Sequence, residues 1–171
     1  MNKIAIAGST GYLGKHLVKQ LVEQKIGVLA LARNLDKLAE FDSELIQKVK
    51  VEITNPETLS GILNGVDILI STVGITRQKD GLTYMDVDYQ ANLNLLKEAQ
   101  KAGVRKFIYV SVLNGQYMRN LKICKAKERF VDELKKSGME YNVIRPNGFL
   151  SDMKDFLAMA KGGKVYLFGD G

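Results

Sequence analysis

The chain has 171 residues, 46% hydrophobic and 26% charged, which is enough apolar material for one soluble domain and excludes a disordered tail, a collagen-like fibre and a disulfide scaffold. A single cysteine, Cys124, cannot form an internal bridge, which leaves the cytoplasm as the default compartment, and no apolar run nears the roughly 20 residues that span a bilayer. The 25 basic and 19 acidic residues give +6, but with no five-residue basic run and no Trp the expected partner is a phosphate-bearing small molecule, with no nucleic acid and no membrane.

Residues 3–7 form a short apolar run ending in glycines and read as a strand. From Tyr12 to Glu23, Leu13, Leu17 and Leu21 with the neighbouring Val18 and Val22 lie on one helical stripe. Residues 27–32 are a second buried strand, followed by a helix-compatible stretch around Leu35 and Leu38. Residues 48–53 alternate like a strand, Pro56 suits the first turn of a short helix over 56–63, and 66–70 form a fourth strand. A helix over 87–102 stops at Gly103, and 106–110 make a fifth strand. A helix over 122–136 stops at Gly138, and 141–144 make a sixth strand. Short apolar strands alternating with amphipathic helices predict βαβ units, hence an α/β fold with a doubly wound parallel sheet.

Gly8-Ser9-Thr10-Gly11-Tyr12-Leu13-Gly14 joins the first strand to the first helix. There, glycines allow a tight turn, close approach of a pyrophosphate and close packing of helix on strand. Amides at the helix start and the helix dipole favour negative charge, so the turn reads as a nucleotide site, with a purely structural turn as the alternative. A phosphate-binding Walker loop fits poorly, because Ser9 stands where its first glycine belongs and His16 where Ser or Thr would hold magnesium. About 20 residues past the glycines, an NAD-binding protein usually presents an acid to the ribose 2′-hydroxyl. Here the second strand ends Ala32-Arg33-Asn34. Arg33 offers a planar fork to a 2′-phosphate, with Lys37 one turn on, so NADP(H) is expected and NAD is the less favoured cofactor; the alternative is a solvated arginine at a strand end.

With these residues in view the chain resembles an atypical short-chain dehydrogenase/reductase, in the branch of NmrA-like and other NAD(P)-binding Rossmann proteins. The resemblance rests on Gly8, Gly11, Gly14 and Arg33, on Ser71-Thr72-Val73-Gly74, and on the helix 87–96. It extends through the strand and serine of 106–111 and Ser137-Gly138 to Ile144-Arg145-Pro146. It implies that Thr10 to Leu13 wrap the pyrophosphate and that Thr72 to Gly74 lie along the adenosine side. Ser111, Lys127 and the Pro146 loop would surround the nicotinamide. Ser9 belongs to the same cofactor turn. Relatives that reduce carbonyls use a Tyr four residues before a Lys, the Lys lowering the phenol pKa. Matching Leu134 and Ser137-Gly138 places that lysine at Lys127, so the Tyr position is Ile123 and the companion Ser falls at Val112, with Asn114 the nearest polar substitute. Tyr117, Tyr12 or Tyr84 would have to reach in for such a relay. Lys127 is retained as the catalytic or ribose-binding candidate, with an exposed helix lysine as the alternative.

Residues 1–150 are thus read as the NAD(P)-binding Rossmann domain, and 151–171 as the start of a C-terminal substrate-binding part. A helix is expected near 156–160 and a strand near 165–168; the closing Gly169-Asp170-Gly171 is a turn signal, from which a fragment of a longer protein is expected. Cys124 reads as a small buried residue and His16 as a surface residue. Met153, Phe156 and Met159 read as gap fillers or pocket lining, and Asp88 as a helix-start residue or a neighbour of the active site. Function narrows to an NADP(H)-dependent oxidoreductase of unknown small-molecule substrate, or a non-catalytic dinucleotide sensor or assembly factor with a protein partner. A sugar-nucleotide epimerase is weaker, because the missing Tyr counts against it.

Overall fold

The apolar runs pair side by side in the order β3-β2-β1-β4-β5-β6, all parallel. The strands are β1 Ile4–Ala7, β2 Val28–Ala32, β3 Ile46–Lys50, β4 Ile68–Ser71, β5 Lys106–Val110 and β6 Glu140–Ile144. The computed structural model describes residues 3–75 and 81–164, so the strand expected at 165–168 and the closing turn lie outside the described residues. This is the doubly wound Rossmann order, and its direction reverses at β1, which pairs with β2 on one side and β4 on the other. A crevice therefore opens at the carboxyl ends of β1 and β4.

Alternate strand residues serve opposite faces. Ala5, Ala7, Leu29, Leu31, Leu69, Phe107 and Tyr109 bury under α2 (Asn92–Lys101) and α3 (Lys122–Lys136) with Leu95, Ala99, Phe130 and Leu134. Ile4, Ile6, Val28, Ala30 and Ala32 face the other way, onto Val18 of α1 (Tyr12–Glu23). A last helix, α4, spans Met153–Lys161. Among the described residues no helix is long and apolar enough to cross a membrane.

Three elements depart from the sequence reading. The third strand ends at Lys50 instead of residue 53, because β2, its one partner among the described residues, ends at Ala32; the last ladder bond is Val51 N–H to Ala32 O, 2.9 Å, and 51–54 then leave the sheet. The helix expected over 56–63 shortens to a 3-10 turn at Pro56–Leu59, followed by Gly61 at φ 73°, a conformation that a helix cannot contain. The helix expected from Val87 begins at Met85 as a π-turn, Met85–Ala91, before becoming α2. Asn92, fully buried, donates its side-chain amide to the carbonyls of Val87 (3.2 Å) and Asp88 (3.0 Å) and accepts from the Ser71 hydroxyl. Those side-chain bonds satisfy polar groups at the wider turn and tie it to the end of β4.

Candidate functional site

The glycine turn sits at the reversal point. Gly8 has φ 81°, and a Cβ on Gly14 would stand 2.1 Å from the Gly8 carbonyl oxygen, so the start of α1 packs on the turn with no room for a side chain. Gly11 is the N-cap of α1, with no side-chain cap bond and no acidic residue in the first turn. The amides of Tyr12, Leu13 and Gly14 thus begin the helix without intrahelical acceptors, and its positive end is uncompensated from within. Ser9 does not line the crevice: its hydroxyl is buried and donates to Leu31 O at 2.7 Å, clamping the turn to β2.

On one side of the turn a cleft of about 180 Å³ is lined by Gly8, Thr10, Gly11, Arg33, Thr72, Val73 and Gly74. It also takes Val51, Glu52 and Ile53, which sequence reading held inside a strand, and Thr54 just beyond them. Glu52 is itself engaged, accepting from the Thr54 amide and hydroxyl. Arg33 stands at the end of β2, exposed on this wall; Lys37 is not among the lining residues. On the other side, through Gly11, Thr72 and Gly74, lies a larger cleft of about 1130 Å³. It is lined by Tyr12, Leu13, Ser111, Val112, Ile123, Lys127 and Pro146, by Phe149 ahead of α4, and by Phe156 and Met159 of α4. Every cofactor-site residue of the sequence reading except Ser9 and Gly14 therefore borders this double cleft.

Lys127 is no surface lysine. It is 9% exposed, on the same face of α3 as Phe130 and Leu134, with Nζ 2.9 Å from Asp88 Oδ1 and 5.4 Å from the Tyr109 ring centroid. Asp88, from the π-turn, is fully buried; its Oδ2 accepts the Ile75 amide at 3.1 Å, while Oδ1 has no aligned hydrogen-bond donor. Both readings weighed for Asp88 describe its place: it sits in the first turn of the helical element and touches Lys127 and Gly74 of the cleft wall, though it lines neither cleft itself. Ile123, one turn before Lys127, lines the cleft with an apolar side chain. The Ser111 hydroxyl faces the protein, donating to Glu128 Oε1 at 2.8 Å; Glu128 is 1% exposed and also pairs with Arg145 at 2.5 Å. That bridge joins α3 to the ends of β5 and β6 and fixes the wall on which Pro146 sits. Sequence reading missed it, although a glutamate among Cys124, Ala126, Phe130 and Val131 was the available signal.

Position 123 holds no tyrosine, and the tyrosines named as substitutes stand elsewhere among the described residues. Tyr117 is 81% exposed and, like Tyr84, borders neither cleft. Tyr12 borders the larger cleft from the helix start, edge-on to His16 and tilted against Phe149. Tyr109 lies next to Lys127 but is buried, and burial, reinforced by the Asp88 and Glu128 charges, pushes its phenol pKa well above the usual value, so it is held protonated. Cys124 is buried and His16 exposed, and no group of metal-ligating side chains occurs among the described residues.

The chain spans about half the length of the curated relatives it matches. It is 30% identical over 151 residues to the photosystem II assembly factor Ycf39 of Synechocystis, covering 88% of this chain and 46% of that protein. It is 29% identical over 185 residues to the chloroplastic divinyl chlorophyllide a 8-vinyl-reductase of Cucumis sativus, covering 98% and 44%. Among solved structures, the oxidoreductase ylbE of Lactococcus lactis superposes with a TM-score of 0.70 at 26% identity, over 84% of this chain and 68% of that one. Residues 8–165 match the family described as NAD(P)H-binding, which takes in the glycine turn, the lining of both clefts and strands β2 to β6. The chain belongs to that NAD(P)H-binding family of Rossmann-fold proteins, as its resemblance to atypical short-chain dehydrogenase/reductases implies.

Proposed function

We propose that this protein binds NADP(H) across the double cleft and acts as an oxidoreductase of the atypical short-chain type on a small-molecule substrate. One observation carries the proposal: the glycine turn, Arg33 and Lys127 lie along a single crevice at the carboxyl ends of the strands. The amides of Tyr12 and Leu13 receive the pyrophosphate, Arg33 the 2′-phosphate, Val73 and Ile53 the adenosine walls, and Lys127 the nicotinamide side. When bound, the cofactor supplies hydride chemistry. The chain's own part is to orient the nicotinamide, exclude water with Ile123, Val112 and the Pro146 loop, and hold the Lys127 charge.

A thermal-shift titration with NADP, NADPH, NAD and NADH tests this reading. Arg33 recognition favours NADP by about ten- to a hundredfold, from one charge-assisted contact, and Arg33→Asp abolishes the preference. Equal response to both cofactor pairs refutes the phosphate assignment. A second reading, a non-catalytic dinucleotide sensor or assembly factor, is favoured by Ile123 and Val112 in place of Tyr and Ser, and by the likeness to Ycf39. Turnover of NADPH with a panel of aldehydes, ketones and quinones separates the two.

A further inference from the structure

The two clefts differ in the charge they offer. The smaller holds Arg33, whereas the larger has Lys127 as its one cation among the described residues, and Asp88 neutralises that cation at 2.9 Å. The other polar side chains of the larger cleft are engaged by the protein or carry no charge. The Thr72 hydroxyl faces the carbonyls of Ala7 and Gly8 at 3.2 and 3.3 Å, the Ser111 hydroxyl donates to Glu128, and Asp152 accepts the Phe149 amide at 3.1 Å. Asn147 and Ser151 are neutral. Arg145 is not among the lining residues and donates to Glu128 and Gln116. A substrate phosphate or carboxylate would therefore find no uncommitted cation in this cleft and would meet the Asp152 charge.

What the larger cleft presents instead is aromatic and aliphatic surface. Tyr12, Phe149 and Phe156 are 54%, 37% and 43% exposed, and Met159, Ile123 and Val112 continue the wall. The Tyr12 and Phe149 rings stand 5.9 Å apart at 52°, so a flat ring laid over them meets aromatic surface from two elements. Such surface is costly in water and gains by being covered with another apolar face. The volume of about 1130 Å³ lies above the roughly 300–1,000 Å³ of whole ligand pockets, which leaves room beside the nicotinamide half of a cofactor. We propose that the larger cleft takes an uncharged, flat, ring-bearing substrate, held by Tyr12, Phe149 and Phe156 next to the nicotinamide. The substrate class rests on the dinucleotide-binding oxidoreductase reading.

The test is calorimetric titration of the NADP-saturated chain with two ketones of one shape, neutral 2-acetylnaphthalene and anionic 6-acetyl-2-naphthoate. The oxidised cofactor cannot reduce them, so binding is read without turnover. The neutral ketone should bind about tenfold tighter or better. Phe149→Ala and Phe156→Ala, both at exposed positions, should each weaken it about five- to tenfold, while NADP affinity stays within about twofold. Leu150→Ala, 91% exposed and outside the cleft lining, should leave both ligands within about twofold. Equal affinity for the two ketones, no binding of the neutral one, no loss in either Phe variant, or the same loss in Leu150→Ala overturns the substrate class. Failure of NADP to bind the unsubstituted chain overturns instead the dinucleotide reading beneath it.

Discussion

Removal of the Lys127 ammonium isolates the charge on Asp88. Lys127 is only 11% exposed in its side chain and Asp88 0%, so in Lys127→Met the carboxylate keeps the Ile75 amide but loses its counter-charge in a site that water scarcely reaches. Breaking a buried pair in this way costs about 3–5 kcal/mol. The reverse change, Asp88→Asn, is milder, about 1–2 kcal/mol, because the lysine stem lets the ammonium turn into the cleft and the asparagine oxygen still accepts from Ile75. The double variant buries no unpaired charge, so the costs do not add, and the coupling should reach about 2–3 kcal/mol. Equilibrium urea unfolding, with m values held equal across the four proteins, reads this directly. A Lys127→Met protein within about 1 kcal/mol of the parent, or a coupling below about 0.5 kcal/mol, would refute the view that this pair is a buried ion pair.

Other outcomes follow from single contacts. Gly14→Ala forces a Cβ to 2.1 Å from a backbone oxygen and 2.8 Å from Ser9 Cα, neither of which can swing away. A loss of about 3 kcal/mol or more is expected, seen as a melting temperature lower by roughly 10 °C. Asn92→Ala removes the donors to Val87 and Asp88 and the acceptor of Ser71, so about 2–3 kcal/mol of stability should go, with faster amide exchange concentrated in 85–91. The Arg119 hydrogen bond holds the Asp132 carboxyl below its ordinary value of 3.8. A lowered acid stabilises the fold above that pH and loses its contribution as pH falls through the folded value. Asp132→Asn should therefore cost about 0.5–1 kcal/mol at pH 7, given the pair's exposure, and next to nothing near pH 2, as acid-titrated unfolding would show.

The first βαβ unit was readable from sequence because everything that decides it is local: apolar runs, a 3.6-residue stripe, and glycines whose spacing has one geometric use. The site's far wall was readable only in part. Lys127 could be singled out only by resemblance, from Leu134 and Ser137-Gly138, because five lysines on one helix look alike until a partner is known. Asp88 comes from a different element, 39 positions earlier by the numbering of the pair, and meets Lys127 through packing that no local pattern encodes. The π-turn was hidden for a related reason. Its one-residue change of register is settled by where Asn92 finds its partners, and Ser71 is one of them. The early end of the third strand depends on the length of β2, which only the pairing reveals. Ser111 lines the larger cleft, but the partner of its hydroxyl, a buried glutamate on the neighbouring helix, could not be read from the resemblance.

The most direct measurement of the central claim is a crystal structure of the chain soaked with NADPH. Pyrophosphate density is expected against the amides of Tyr12 and Leu13, the 2′-phosphate within reach of Arg33, and the nicotinamide end beside Lys127. A dinucleotide bound away from the glycine turn, or an empty double cleft at saturating NADPH, would contradict it.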